Sequence, residues 1–184
     1  GEREFTIAVD HLTLMTSDSN LSELWLGSVP CAQLAGRETP RVLISGLGMA
    51  YTLRAALDEL PETAVVDVVE INPVIAYWCR GPLAPLTDNA VEDPRVTLHF
   101  GDVAHHIRRA AQDGGSFDAI ILDLYQGTFD ANKDPKHPHY GRAALETTKR
   151  ALSTGGIFAV WTEEIDRGFE KRLQSVGFEF ETLR

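Results

Sequence analysis

Cysteine is scarce: Cys31 and Cys79 are the only two in a chain of 184 residues. They lie far apart and form no CxxC, which excludes a disulfide scaffold and a thiolate metal site. Buried thiols in a reducing compartment are the expectation. No apolar run approaches the ~20 residues that span a bilayer, and no signal peptide is visible, so a cytoplasmic protein with no membrane partner is predicted. Cations are in deficit as well. Seventeen Lys+Arg against 27 Asp+Glu give a net charge of −10. That argues against a nucleic-acid partner, because phosphate binding needs clustered basic side chains, and it is compatible with a cationic small substrate. Internal repeats and low-complexity tracts are missing too.

What is present is an ordinary globular composition, 43% hydrophobic and 24% charged. Four apolar, β-branched runs stand out. They are 42–48, ending in Gly46-Leu47-Gly48; 65–70, ending in Glu70; 96–102, ending in Gly101-Asp102; and 117–123, ending in Asp123. Buried parallel strands read as such runs, and ligands of open α/β sheets sit beyond the carboxyl ends of those strands. Helical patterns at 50–60, 73–80, 103–112, 143–151 and 167–175 alternate with the strands, and further strands are predicted at 157–162 and 178–183. This alternation predicts an α/β fold, a Rossmann-like, doubly wound, mostly parallel sheet with helices on both faces. A short N-terminal β-hairpin (5–15) turns at Asp10-His11, and a helix over 20–34 is capped by Ser19 or Asn20 and ended or kinked by Pro30. The expected division is residues 1–40, hairpin and helix, followed by the sheet domain at 41–184. The sheet is expected to lack a last antiparallel strand, which would leave one edge open.

Gly46 and Gly48 allow a tight strand-to-helix turn and close approach of a ligand to helix N-terminal amides. Tyr51 occupies the place of a third fingerprint glycine, and no P-loop lysine follows, so pyrophosphate binding is disfavoured. Glu70 lies about 24 residues beyond Gly46, a spacing that suits a carboxylate accepting both hydroxyls of a ribose. Asp102 ends the third core strand, where an acid accepts an adenine amino proton or caps the next helix. Asp123 ends the fourth, beside the reacting end of a nucleoside; Asp118 reads as structural or solvated. His137-Pro138-His139, with Asp130 and Asp134, lies in a proline-broken loop with no scaffold for coordination, so no metal is expected. Trp25, Trp78 and Trp161 read as core or interface residues.

Val42–Arg54, Val65–Ile75, Leu98–Val103 and Phe117–Asp123 resemble the spermidine synthase (polyamine aminopropyltransferase) group of the class I S-adenosylmethionine-dependent methyltransferase fold. Leu14-Met15, Ser22-Glu23 and Gly46-Leu47-Gly48-Met49 with Thr52–Leu57 resemble its bacterial members of unassigned substrate. The resemblance implies that Gly46, Leu47 and Gly48 line the donor's amino-acid end and that Glu70, with Ile71, holds the ribose. It implies that Asp102 and the Val103 amide read the adenine and that Asp123 orients or deprotonates the attacking amine. Tyr125, Gln126 and Glu163 are placed to shape the acceptor pocket.

The departures from that family concern the donor. Met49 and Ala50 stand where the synthases carry an aspartate and a glycine, Gln126 replaces a second loop aspartate, and the Tyr-Gln-Glu signature near the hairpin has no match. Losing the acid at Met49 removes repulsion of about 4 kcal/mol at 4 Å and intermediate dielectric against a donor carboxylate. The expected reaction is therefore methyl transfer from intact S-adenosylmethionine to a small, amine-bearing, cationic acceptor. The alternatives are aminopropyl transfer from decarboxylated S-adenosylmethionine, a non-catalytic nucleoside-binding protein, or a dimerisation module in which two copies cover the open edge.

Overall fold

The computed structural model describes residues 4–124, 134 and 136–183. Five strands form one parallel sheet: β3 (Arg41–Ser45), β4 (Val65–Glu70), β5 (Val96–Phe100), β6 (Phe117–Leu122) and β7 (Leu152–Val160). Their order is β5-β4-β3-β6-β7, so the chain builds outward from β3 in one direction and then returns to pair β6 on its other side. An antiparallel hairpin of β1 (Thr6–Val9) and β2 (Leu12–Thr16) stands before the sheet, with Asp10 in a left-handed turn conformation.

Alternation along the strands separates two apolar layers. Val42, Ile44, Val66, Val68 and Ile121 face α1 (Leu21–Ala32), α2 (Tyr51–Glu59) and α3 (Pro73–Arg80). Leu43, Val69, Ile120 and Leu122 face α4 (Val103–Gln112), α5 (Arg142–Ala151) and α6 (Arg167–Val176). All nine of these strand residues are at most 1% exposed, as parallel strands covered on both faces must be. Ile7 of the hairpin and Cys31 of α1 belong to the first layer, so the N-terminal segment shares the core of the sheet.

Four expectations are corrected. Pro30 does not end its helix: α1 runs to Ala32, and Pro30 and Cys31 are buried. A proline in the last turn forfeits one bond near an end that is already short of partners, and burial of the helix face outweighs it. Asn20 takes the N-cap position, but its side chain caps nothing. Residues 178–183 form no strand. Their alternating Phe-Glu-Phe-Glu pattern has no backbone ladder to join; instead Gly177 turns the chain in the left-handed region, with its amide and that of Phe178 bonded back to Gln174 and Leu173. The Phe178 ring packs on Phe158 of β7, 5.9 Å between centroids. β7 begins earlier than its sequence suggests, at Leu152. Gly155, at φ 71°, and a register shift against β6 let the strand cross this irregularity.

Asp118 has a defined structural part. Its Oδ1 accepts from Arg37 and from Ser153 at 2.6 Å each, and its Oδ2 accepts from the Arg41 amide at 2.8 Å. One half-sunken carboxylate thus ties the start of β3 to β6 and β7. Asp118→Ala is expected to destabilise the chain by about 3 kcal/mol, since it leaves three donors and a cation without their partner. Urea denaturation of the variant beside wild type measures this.

Candidate functional site

The reversal of strand order places the ends of β3 and β6 side by side, and the loops beyond them separate to either face. At that point Gly46 adopts φ 86°, and a Cβ there would lie 1.8 Å from the Asp123 carbonyl oxygen. The Asp123 amide in turn donates to the Ser45 carbonyl at 2.8 Å. Gly48 is also left-handed, at φ 50°, and lies against the Met15 sulfur of the hairpin. Ala50 follows at φ 67° as the N-cap of α2, a conformation that ordinarily favours glycine.

Glu70 is buried at the end of β4. Its Oε2 accepts from the Leu47 amide at 2.9 Å and its Oε1 from the Asn72 amide at 2.8 Å. Two loops are therefore tied to one carboxylate, and each of its oxygens keeps a second lone pair for a diol. Thr52, buried in α2, donates from its hydroxyl to Asp123 Oδ2 at 2.7 Å. Thr52 is itself seated by helix packing, because α1 approaches α2 so closely at Gly27 that a Cβ would lie 2.2 Å from the Thr52 carbonyl. Burial pushes the Asp123 carboxyl up to about 6; the Thr52 hydroxyl lowers it in part, and the nearby charge of Glu23 raises it again.

These groups open onto one cleft of about 1140 Å³ between the sheet, the hairpin and α1. Gly46, Leu47, Gly48, Glu70 and Ile71 line it, as do Asp123 and Glu163. Glu23 and Glu164 bring the carboxylates to five, and among the described residues no Lys, Arg or His lines it. Trp78 and Trp161 form part of its apolar wall, whereas Trp25 is 52% exposed away from any core.

Not every predicted residue joins this cleft. Asp102 and Val103 are absent from its lining: Val103 is buried, and Asp102 Oδ1 caps α4 through the Ala104 amide at 2.8 Å. The end of β5 nevertheless neighbours that of β4, with the Gly101 amide donating to the Glu70 carbonyl. Tyr125 and Gln126 lie outside the described residues. Met49 is 1% exposed and packed in the first apolar layer, so it presents nothing to a ligand. The left-handed turn around it sends the side chain inward.

The sequence reading missed Thr52, Glu23, His139 and Tyr140. His139 Nε2 contacts Asp102 Oδ1 at 3.0 Å. Tyr140 is fully buried and its hydroxyl finds no hydrogen-bond partner among the described residues; burial first, then the charge of Asp123, pushes its phenol up. Among the described residues no group of three or more metal-ligating side chains converges.

The profile of the spermine/spermidine synthase domain matches residues 29–170. The polyamine aminopropyltransferase of Vibrio vulnificus (strain CMCP6) is 32% identical over 122 residues, 66% of this chain and 37% of that protein. The spermine synthase of Arabidopsis thaliana is 30% identical over 127 residues, 67% of this chain and 32% of that protein. The chain thus spans about a third of the length of these relatives. In fold it is similar to the spermidine synthase of Thermotoga maritima (TM-score 0.72, 23% identity, 93% of this chain and 56% of the other). It is also similar to human methyltransferase-like protein 13 (TM-score 0.56, 20% identity, 87% and 70%).

The raised carboxyl of Asp123 has a consequence for stability. Its pKa moves from 3.8 to about 6 on folding, so the folded state binds the proton more tightly, and stability declines as pH rises from about 4 through about 6. Asp123→Asn removes that penalty. The variant is expected to be more stable than wild type at pH 8, by up to about 3 kcal/mol, with the difference closing toward pH 4. Denaturation midpoints at the two pH values measure it.

Proposed function

The chain belongs to the spermine/spermidine synthase family, and we propose that it moves an aminopropyl group from decarboxylated S-adenosylmethionine to a primary amine of a small aliphatic polyamine. The observation that carries this reading is the cleft itself, five carboxylates and no basic side chain among the described residues. A donor without its carboxylate is a cation at both sulfonium and amine, and a polyamine acceptor is a cation along its length. Each favours such a wall. Among the described residues an intact donor carboxylate would meet no basic side chain there.

The expectation of methyl transfer rested on the missing acid at position 49, whose repulsion a donor carboxylate would otherwise feel. With Met49 in the core, that argument falls away, and the named curated relatives are aminopropyl-transfer or spermine-forming enzymes. A non-catalytic nucleoside-binding role has no observation in its favour.

The donor fits the built features. Glycine at 46 and 48 lets the backbone of the turn approach the ligand, and the spare lone pairs of Glu70 are available to the ribose hydroxyls. The sulfonium supplies the leaving group, so the chain's task is alignment. Asp123, held by Thr52, takes the amine by hydrogen bond and turns its lone pair toward the carbon. As the new C–N bond forms, the C–S bond breaks and its electron pair leaves with sulfur as methylthioadenosine. The ammonium that results gives a proton to Asp123 or to water. Glu23, Glu163 and Glu164 hold the distal ammonium of the acceptor.

Turnover of the chain with both donors across aliphatic diamines and triamines tests the proposal. Transfer from the decarboxylated donor is expected, at least 100-fold faster in kcat/KM than from the intact one. Methyl transfer from intact S-adenosylmethionine as the faster reaction overturns it. At saturating amine the rate is expected to fall below pH of about 6 as Asp123 takes up its proton. Asp123→Asn is expected to lose turnover while retaining methylthioadenosine binding by calorimetry.

A further inference from the structure

Asp102 Oδ1 already accepts two hydrogen bonds, from the Ala104 amide at 2.8 Å and from His139 Nε2 at 3.0 Å. Against a carboxylate the imidazole nitrogen carries the hydrogen, so both lone pairs of Oδ1 are engaged. Oδ2 accepts from no group among the described residues, and the side chain is 39% exposed. The carboxylate is thereby made asymmetric, with one oxygen saturated by the protein and the other left to a ligand.

His139 is itself held. The Nδ1 of His137 accepts from the amides of His139 and Tyr140, both at 3.3 Å, and the His137 carbonyl accepts from Gly141 at 2.9 Å. The His137 ring stacks on Tyr140 at 5.2 Å and 16°, and Tyr140 is anchored in the second apolar layer. Behind Pro138, then, a braced turn delivers one N–H to one oxygen. His105, in the first turn of α4, is the other titratable group whose charge bears on Asp102. Burial raises the Asp102 carboxyl, but the His139 and Ala104 hydrogen bonds, with those two histidines nearby, bring it below its ordinary value. Oδ2 therefore stays an acceptor throughout the neutral range.

We propose that His139 is a positioning residue for base recognition: by saturating Oδ1 it fixes Asp102 so that Oδ2 is its one remaining acceptor, which selects a 6-amino purine over a 6-oxo purine. This inference rests on the nucleoside-binding part of the proposed function. A 6-amino group donates to Oδ2, whereas a 6-oxo group would set an oxygen against it. Without His139, Oδ1 regains a free lone pair and the Ala104 amide is left as the described group holding the carboxylate, so the side chain can turn and the preference relaxes.

The test is calorimetric binding of methylthioadenosine and methylthioinosine to wild type, His139→Gln and His139→Asn, with thermal midpoints recorded for each. A glutamine amide reaches as far as the imidazole Nε2 and an asparagine amide does not. Wild type and His139→Gln are expected to favour methylthioadenosine by about tenfold or more, the value of one such hydrogen bond, and His139→Asn by less than about threefold. A role confined to bracing the loop would weaken both nucleosides equally in the two variants. A folded His139→Asn that keeps the wild-type ratio overturns the proposal, as does a wild type that binds both nucleosides equally. A wild type that binds neither removes the donor site itself, and the inference falls with it.

Discussion

Strand β3 is the seam on which this structure depends. It is the first strand of the sheet laid down in sequence, and every later strand is added to one side of it or the other. The helices that follow β3 and β4 cover one face, and those that follow β5, β6 and β7 cover the other. Two neighbouring loops at the carboxyl end of the seam therefore part, and the space between them cannot be filled by either layer. Glu70 stabilises the opening from one side by accepting amides from both the β3 and β4 loops. Thr52 and Asp123 stabilise it from the other, through a helix set in place by the Gly27 contact.

Charge within this opening is arranged against the interest of the empty protein. Burial and the nearby charge of Glu23 raise the cost of ionising Asp123, and Trp78 and Trp161 contribute apolar wall beside it. The described basic residues lie elsewhere: Arg37 and Arg41 bind Asp118 and Asp67 on the strands, and Arg95 binds Asp93 and the carbonyls that end α2. Among the described residues this leaves an unneutralised wall, and a cationic ligand relieves its repulsion. The proposed donor and the proposed acceptor both draw on this one arrangement.

The core strands and their terminal acids were legible because burial on both faces enforces continuous apolar runs, and because a parallel sheet puts function at one set of ends. Glu70 and Asp123 could be assigned to a common rim from that rule alone. What resisted reading was side-chain direction and contact across long separations. Met49 was placed at the donor because it stands where the synthases carry an aspartate, but three left-handed residues in five reverse the local geometry and bury it. His139 and Asp102 meet across 37 positions through a loop with no periodicity. The 178–183 segment carries a strand's alternation, yet strand formation needs a partner's backbone, which no sequence pattern supplies. Two short 3₁₀ turns at Ala84–Thr87 and Ala90–Glu92 likewise have no signature beyond Pro85.

The contact between Gly46 and the carbonyl of Asp123 has one more implication. With no room for a single methyl group between them, the glycine turn after β3 and the residue that follows β6 form one rigid part, and neither can shift without the other. Diversification of what this scaffold accepts is left to the surrounding walls, the hairpin, the first turn of α1 and the end of β7, where side chains can be exchanged without disturbing the hinge-less junction at the centre.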